Sequence, residues 1–119
     1  MINKPLTPRE RELCLQHAEM CQVLSHPTRL EIITVLREGE QTVGVIAKLL
    51  EIGMGNLSQH LAMMRERRIL SSRKAGNQVY YRVANPKLLK ACDLLRDILL
   101  EQIEKESRLL ISKPTTARR

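Results

Sequence analysis

A mainly α fold of the α+β kind, with about five helices and a two-stranded β-hairpin, is what this 119-residue chain predicts. Three observations carry the prediction. Aromatic residues make up only 2% (Tyr80 and Tyr81, with no Trp or Phe), so the core must be aliphatic, which suits packed helices better than a β-sandwich. Apolar residues recur three and four apart in five separate segments. Strict alternation occurs in one stretch, Gln78 to Val83, just after a Gly-Asn turn signal.

Each element has its own start or stop signal. Thr7-Pro8-Arg9-Glu10 has capping-box spacing with proline at the first helical position, so a helix starts there. It runs to about Leu24 and carries Leu13, Cys14, His17, Met20, Cys21 and Leu24 on one broad face. Ser25-His26-Pro27 starts a second helix, whose stripe is Leu30, Ile33 and Leu36 and which Gly39 ends as a left-handed cap. Thr42 caps a short third helix holding Val43, Ile46, Ala47 and Leu50. Gly53-Met54-Gly55 breaks the chain before a fourth helix, from about Asn56 to Arg67, with Leu57, Leu61 and Met64 on its buried side. Two strands follow, Ile69 to Lys74 and Gln78 to Val83, joined at Ala75-Gly76-Asn77. In the second, Val79, Tyr81 and Val83 face inward and Gln78, Tyr80 and Arg82 face water. Asn85-Pro86 opens a long final helix, and from Pro114 no pattern remains.

The length fits one domain, expected over residues 1–112, with 113–119 a disordered basic tail. No apolar run could span a membrane, and Met1 to Glu10 lacks the core of a signal peptide, so a soluble cytoplasmic protein is expected. The net charge is +7, and it is concentrated. Residues 65–82 hold Arg65, Arg67, Arg68, Arg73, Lys74 and Arg82 against Glu66 alone. A surplus kept for solubility would be spread out, whereas a concentrated one marks a surface for a polyanion. The scarcity of aromatic side chains argues against RNA-recognition sheets and single-strand binders, which need stacking platforms. An enzyme is not expected. The chain has no phosphate-cradling glycine loop and no paired carboxylates around a cleft, and neighbours such as Ser58, Gln59 and His60 point about 100° apart on a helix.

Two short helices joined by a tight turn, the second polar on its outer face, form a helix-turn-helix, and the basic hairpin after it makes a winged version. A helix fits the major groove, where Asn56, Ser58, Gln59 and His60 could read base edges. Arg65, Arg67 and Arg68 at the helix end could neutralise backbone phosphates, and a hairpin bearing Arg73 and Lys74 could reach flanking phosphates or the minor groove. Winged helices also serve as protein-interaction modules, which remains the alternative.

The residues then become familiar. Leu24-Ser25-His26-Pro27-Thr28-Arg29-Leu30-Glu31-Ile32-Ile33 resembles the second-helix signature of the ArsR/SmtB family of small repressors. Leu57-Ser58-Gln59-His60-Leu61 resembles that family's recognition helix, and Val79-Tyr80-Tyr81-Arg82-Val83 its wing strand. The resemblance covers about residues 18–100 and implies a homodimer that binds palindromic double-stranded operator DNA, represses transcription and releases DNA when an inducer binds. It implies that Ser58, Gln59 and His60 face the operator, and that Arg73, Lys74 and Asn77, with Gln78 beside them, contact it from the wing. The chain departs from the family pattern at Gly53 and Gly55, where polar residues are usual, and at Asn56, where Thr is common.

In the final helix Leu88, Cys92, Leu95 and Leu99 recur at four, three and four, and Ala91, Leu94 and Ile98 widen the stripe. A face this wide calls for a second subunit, so the first and last helices are expected to dimerise the domain. The inducer is not named by the sequence. The family's cysteine-pair metal site would fall where this chain has Thr42-Val43-Gly44-Val45, and its final-helix site needs histidines that residues 86–110 lack, so neither of those zinc- or cadmium-type sites is expected, and no cofactor. Cys14, Cys21 and Cys92 remain as candidate sensor thiols, with Cys14 and Cys92 the better pair. Cys14 and Cys21 lie about 10.5 Å apart along a helix axis and cannot bridge to each other. Such thiols could hold a soft metal or arsenite, or undergo reversible oxidation or reaction with reactive sulfur. The plain alternative is that they are small buried hydrophobes in a repressor with no cysteine-based sensing.

Overall fold

A computed structural model of the chain describes the backbone of residues 3–112 and the side chains of residues 3–110. The basic tail expected over 113–119 lies outside the described residues. The chain divides into two compact units, one ending at Asn85 and one beginning at Pro86.

The first unit contains α1 (Pro8–Leu24), α2 (Pro27–Val35) with a short 3-10 turn (Leu36–Glu38), β1 (Gln41–Thr42), α3 (Val43–Leu50), α4 (Met54–Glu66), β2 (Leu70–Ala75) and β3 (Gln78–Val83). The capping box of α1 is closed in both directions. The Glu10 N–H donates to Thr7 Oγ1 at 3.1 Å, and the Thr7 N–H donates to Glu10 Oε1 at 2.7 Å. Only Val23 of α1 is buried, and Leu13, Leu15 and Met20 are exposed. At the start of α2 the capping atom is His26 Nδ1, which accepts from the Thr28 N–H at 3.1 Å, while the Ser25 hydroxyl turns back to donate to the Gln22 carbonyl at 2.8 Å. Gly39 ends this segment at φ 137°, ψ −177°, not the compact left-handed cap expected, in a region open essentially to glycine.

The sheet differs from expectation by one strand. It is three-stranded and antiparallel in the order β1-β3-β2, with Gln41 opposite Tyr81 and Thr42 opposite Tyr80 on one side of β3. A two-residue strand has no periodicity to read, so β1 was invisible in the sequence. Because β3 is central, its alternation is blunted: Val83 is buried, and Val79, Tyr80 and Tyr81 are all half-buried. The hairpin closes on Ala75 opposite Gln78, around a two-residue turn in which Gly76 takes φ 62°.

The helix-turn-helix also has a different hinge. Thr42 caps α3, its Oγ1 accepting from the Val45 N–H at 3.3 Å. The chain then reverses at Glu51, a non-glycine residue in the left-handed region at φ 57°, ψ 45°, a conformation costing roughly 1–2 kcal/mol. Gly53 is not the breaker; it is the ordinary extended N-cap of α4 (φ −70°, ψ 148°), and Met54 and Gly55 are helical. At its other end α4 closes in a Schellman arrangement around Arg68 (φ 64°). The Arg68 N–H donates to the Arg65 carbonyl at 2.9 Å and the Ile69 N–H to the Met64 carbonyl at 2.8 Å.

The core is aliphatic, as the composition requires. Ile32 and Ile33 of α2, Ile46 of α3, Leu57, Leu61 and Met64 of α4 and Leu70 of β2 are its fully buried large side chains, and no polar or charged described residue is buried with them. Each such burial contributes about 1.5–3 kcal/mol. Since α4 supplies three of the seven, the same packing that makes the core also fixes the orientation of its outer face.

The second unit is α5 (Lys87–Ser112). Leu88 and Cys92 are half-buried, whereas Leu94, Leu95, Ile98 and Leu99 are each more than half exposed. Glu104 and Arg108 pair at 3.3 Å on its surface. Among the described residues no helix is long and apolar enough to cross a membrane.

Candidate nucleic-acid interface

The buried stripe of α4 settles which residues face outward. A helix turns about 100° per residue, so Gln59 lies opposite the Leu57, Leu61 and Met64 edge, flanked by Gly55, Asn56, Ala62 and Met63. Asn56, Ser58 and Gln59 are all exposed. All three expected readers are therefore open to solvent, Gln59 on the outermost line and Asn56 and Ser58 on opposite flanks of the helix.

His60 is placed differently. It follows Leu57 by three and precedes Met64 by four, so it sits at the margin of the buried stripe and is itself half-buried. Its Nδ1 accepts from Arg29 Nε at 3.2 Å, and its ring lies 4.7 Å from that of His26. Arg29 is held in turn by the Val23 carbonyl, which accepts from its Nη1 at 3.0 Å. Partial burial, followed by the nearby charges of His26 and Arg29, holds His60 below the usual histidine range, so its neutral form is favoured. This side chain ties α4 to α2 and the end of α1. The sequence could not show that, because its partner is 31 residues away.

The cations form two groups. Arg65, Arg67 and Arg68 cluster at the C-terminal end of α4, and all three are exposed. Arg65 Nη1 donates to Ser72 Oγ on β2 at 3.3 Å, which holds it toward the hairpin. Lys74, Asn77 and Gln78 lie exposed around the hairpin tip, with Arg82 exposed on β3.

Arg73 belongs to neither group. Its Nε donates to both carboxylate oxygens of Glu40, at 3.1 and 3.0 Å, and its Nη2 donates to Oε1. Its guanidinium stacks over the Tyr80 ring, 4.6 Å from the centroid. The Glu40 carboxyl is held below the usual carboxylate range chiefly by the hydrogen bonds from Arg73. A cation expected to meet phosphate is thus already partnered by an acid from the segment before β1, 33 residues away. Glu40→Gln removes a negative charge from this surface and releases Arg73. The expected result is tighter binding to duplex DNA and a log–log salt slope steeper by about 0.9, one extra phosphate neutralised, measured by anisotropy titration across salt. An unchanged slope would mean that Arg73 never reaches the DNA.

Of the cysteines, Cys14 and Cys21 are exposed on α1 and Cys92 is half-buried on α5; none is in a disulfide. Cys14 and Cys21 therefore lie outside the core of the single chain. Among the described residues, no group of three or more His, Cys, Asp or Glu side chains is arranged to hold a metal ion.

Comparison with known proteins agrees with this geometry. The family model for bacterial regulatory proteins of the arsR family matches residues 26–72, from the cap of α2 into β2. The biofilm growth-associated repressor of Xylella fastidiosa is 36% identical over 85 residues, which are 71% of this chain and 75% of that protein. The crystal structure of Mycobacterium tuberculosis Rv0081 superposes with a TM-score of 0.75 at 26% identity, covering 86% of this chain and 99% of that one. The homodimeric winged helix-turn-helix DNA-binding domain of Mb0332 from Mycobacterium bovis matches in fold, with a TM-score of 0.76 at 24% identity over 87% of this chain and 95% of its own. With the family signature lying on the helix-turn-helix itself, and a relative of this identity over three quarters of its length, the chain belongs to the arsR family of bacterial regulatory proteins, as a DNA-binding winged helix-turn-helix transcriptional regulator.

Proposed function

We propose that the protein is a homodimeric, cytoplasmic, sequence-specific repressor that places α4 in the major groove of operator DNA and lays the β2–β3 hairpin along the flanking backbone. The observation that carries this reading is the exposed amide and hydroxyl surface of α4, Asn56, Ser58 and Gln59, followed directly by the cations Arg65 and Arg67 and by Lys74 at the wing. Asn77 and Gln78 complete the wing contact, and Arg73 joins it on leaving Glu40. His60 serves from the edge, through the position it gives α4. Residues 1–112 act as one domain whose exposed leucines, on α1 and again on α5, are covered by a second copy. Repression as the sign of control follows the relative from Xylella fastidiosa, which carries that name.

Release from DNA is assigned to thiol chemistry at Cys14 and Cys92, with Cys21 accessory: oxidation, reaction with reactive sulfur, or binding of arsenite or a soft metal. The placement of Cys14 and Cys21 outside the core of the single chain supports this. The test is a titration of the reduced protein on its own promoter DNA with oxidant, arsenite and persulfide donor in turn. At least one reagent is expected to release DNA from the wild type but not from Cys92→Ser. Equal responses would remove the thiol reading and leave a repressor without cysteine sensing. Binding to a protein partner that is insensitive to salt, with no affinity for duplex DNA, would remove the repressor reading as well.

A further inference from the structure

We infer that the base pairs facing α4 in the operator are A·T pairs, read by the amides of Asn56 and Gln59 and by the apolar side chains of Ala62 and Met63. The inference rests on the reading of α4 as the major-groove helix and deepens it, by naming the chemistry that the helix can recognise. Its first support is a missing residue type. Guanine offers two acceptors to the major groove, and its usual partner is the two-donor fork of Arg or the ammonium of Lys. From Gly53 to Met64 there is neither. The cations begin at Arg65, which donates to Ser72 on the hairpin, and continue at Arg67 and Arg68, beyond the last helical turn. His60, the one side chain of this stretch able to carry charge, is half-buried at the margin of the core stripe and off the outer line, where its Nδ1 accepts from Arg29.

What the outer face does offer fits adenine and thymine. A carboxamide both donates and accepts, which matches adenine N6 and N7, and Ala62 and Met63 present apolar surface to the thymine methyl. Met63 is 41% exposed although apolar, so it is not part of the core. A third observation concerns reach. Asn56 is a short side chain, so its amide meets a base edge only if the helix backbone comes close. Gly55 stands beside it, next to Gln59 on the outermost line. A Cβ at Gly55 would meet nothing within 4 Å, and the backbone there is ordinary helix, so neither packing nor conformation calls for glycine. With no Cβ at Gly55, the backbone beside Asn56 can come closer to a base edge than any other residue there would allow.

The experiment selects, with the full-length protein, from a pool of duplexes randomised over about 20 base pairs, near physiological salt. Enriched sequences are expected to contain two inverted half-sites with A·T pairs at their centres. In a synthetic duplex of the selected sequence, three exchanges isolate the major groove: A·T to G·C, adenine to 7-deazaadenine (removing N7), and thymine to uracil (removing the methyl). The first is expected to weaken binding about tenfold or more, the second and third by smaller but measurable factors; Gln59→Ala is expected to reduce the effect of 7-deazaadenine, and the double variant Asn56→Ala/Gln59→Ala to erase it. Central G·C pairs in the selected half-sites would overturn the inference while leaving the DNA-binding reading intact. So would A·T half-sites indifferent to 7-deazaadenine and uracil, since the preference would then arise in the minor groove or in DNA shape. A pool with no enrichment would overturn the DNA-binding reading itself, and the inference with it.

Discussion

Leu61→Ala is expected to lower the unfolding free energy by about 3 kcal/mol, within the usual range for emptying a fully buried leucine site. Leu61 has no exposed surface and lies on the α4 edge that also carries Leu57 and Met64. The neighbours of α4 are α2, α3 and β2, so the cavity would open where four elements meet. The midpoint of urea denaturation should fall on the order of 1–2 M with its slope unchanged, at fixed protein concentration because a dimer's stability depends on it. Ser58→Ala, on the exposed side of the same helix, should leave the midpoint where it was. A loss below about 1 kcal/mol for Leu61→Ala would mean that α4 is not a main support of the core. The orientation of its outer face would then need another explanation.

Gln59→Ala is the largest functional effect expected of a single exposed residue. Gln59 sits opposite the buried edge of α4 and contributes nothing to the core, so folding should be unaffected. Binding to the cognate operator should weaken by about 1–3 kcal/mol, a factor of roughly 5 to 150, while affinity for random duplex barely changes. Competition titrations with both duplexes in the same salt separate the two quantities. Equal losses on both would show that Gln59 meets only the sugar-phosphate backbone.

Much of the fold could be read locally. Thr7 with Glu10, Pro27, and Thr42 mark helix starts by hydrogen bonds that span three residues or fewer, or by a fixed φ, and all three start where their chemistry says. The spacing of Leu57, Leu61 and Met64 was enough to orient α4, because a helical period leaves one face for the core. What was not legible depends on partners distant in sequence. β1 exists only because β3 lies beside it. The sharp reversal before α4 falls on Glu51, which no glycine-based rule would choose, while the glycines that looked like a break are a cap and part of the helix. In the interface, Asn56, Ser58 and Gln59 could be placed from periodicity alone. His60 and Arg73 could not: each has a polar side chain of the type that meets DNA, but Arg29 and Glu40 reach them first.

Thr42 performs two tasks with one residue. Its backbone aligns with Tyr80 at the border of the sheet, and its hydroxyl terminates α3. The finger and α3 therefore share a common anchor, and α4, the rod that packs against α3, is tied to the finger through it. A duplex that engages both meets a caliper of nearly fixed opening. Misfit in groove width or curvature must then be absorbed by the nucleic acid, whose own stiffness becomes part of what is recognised.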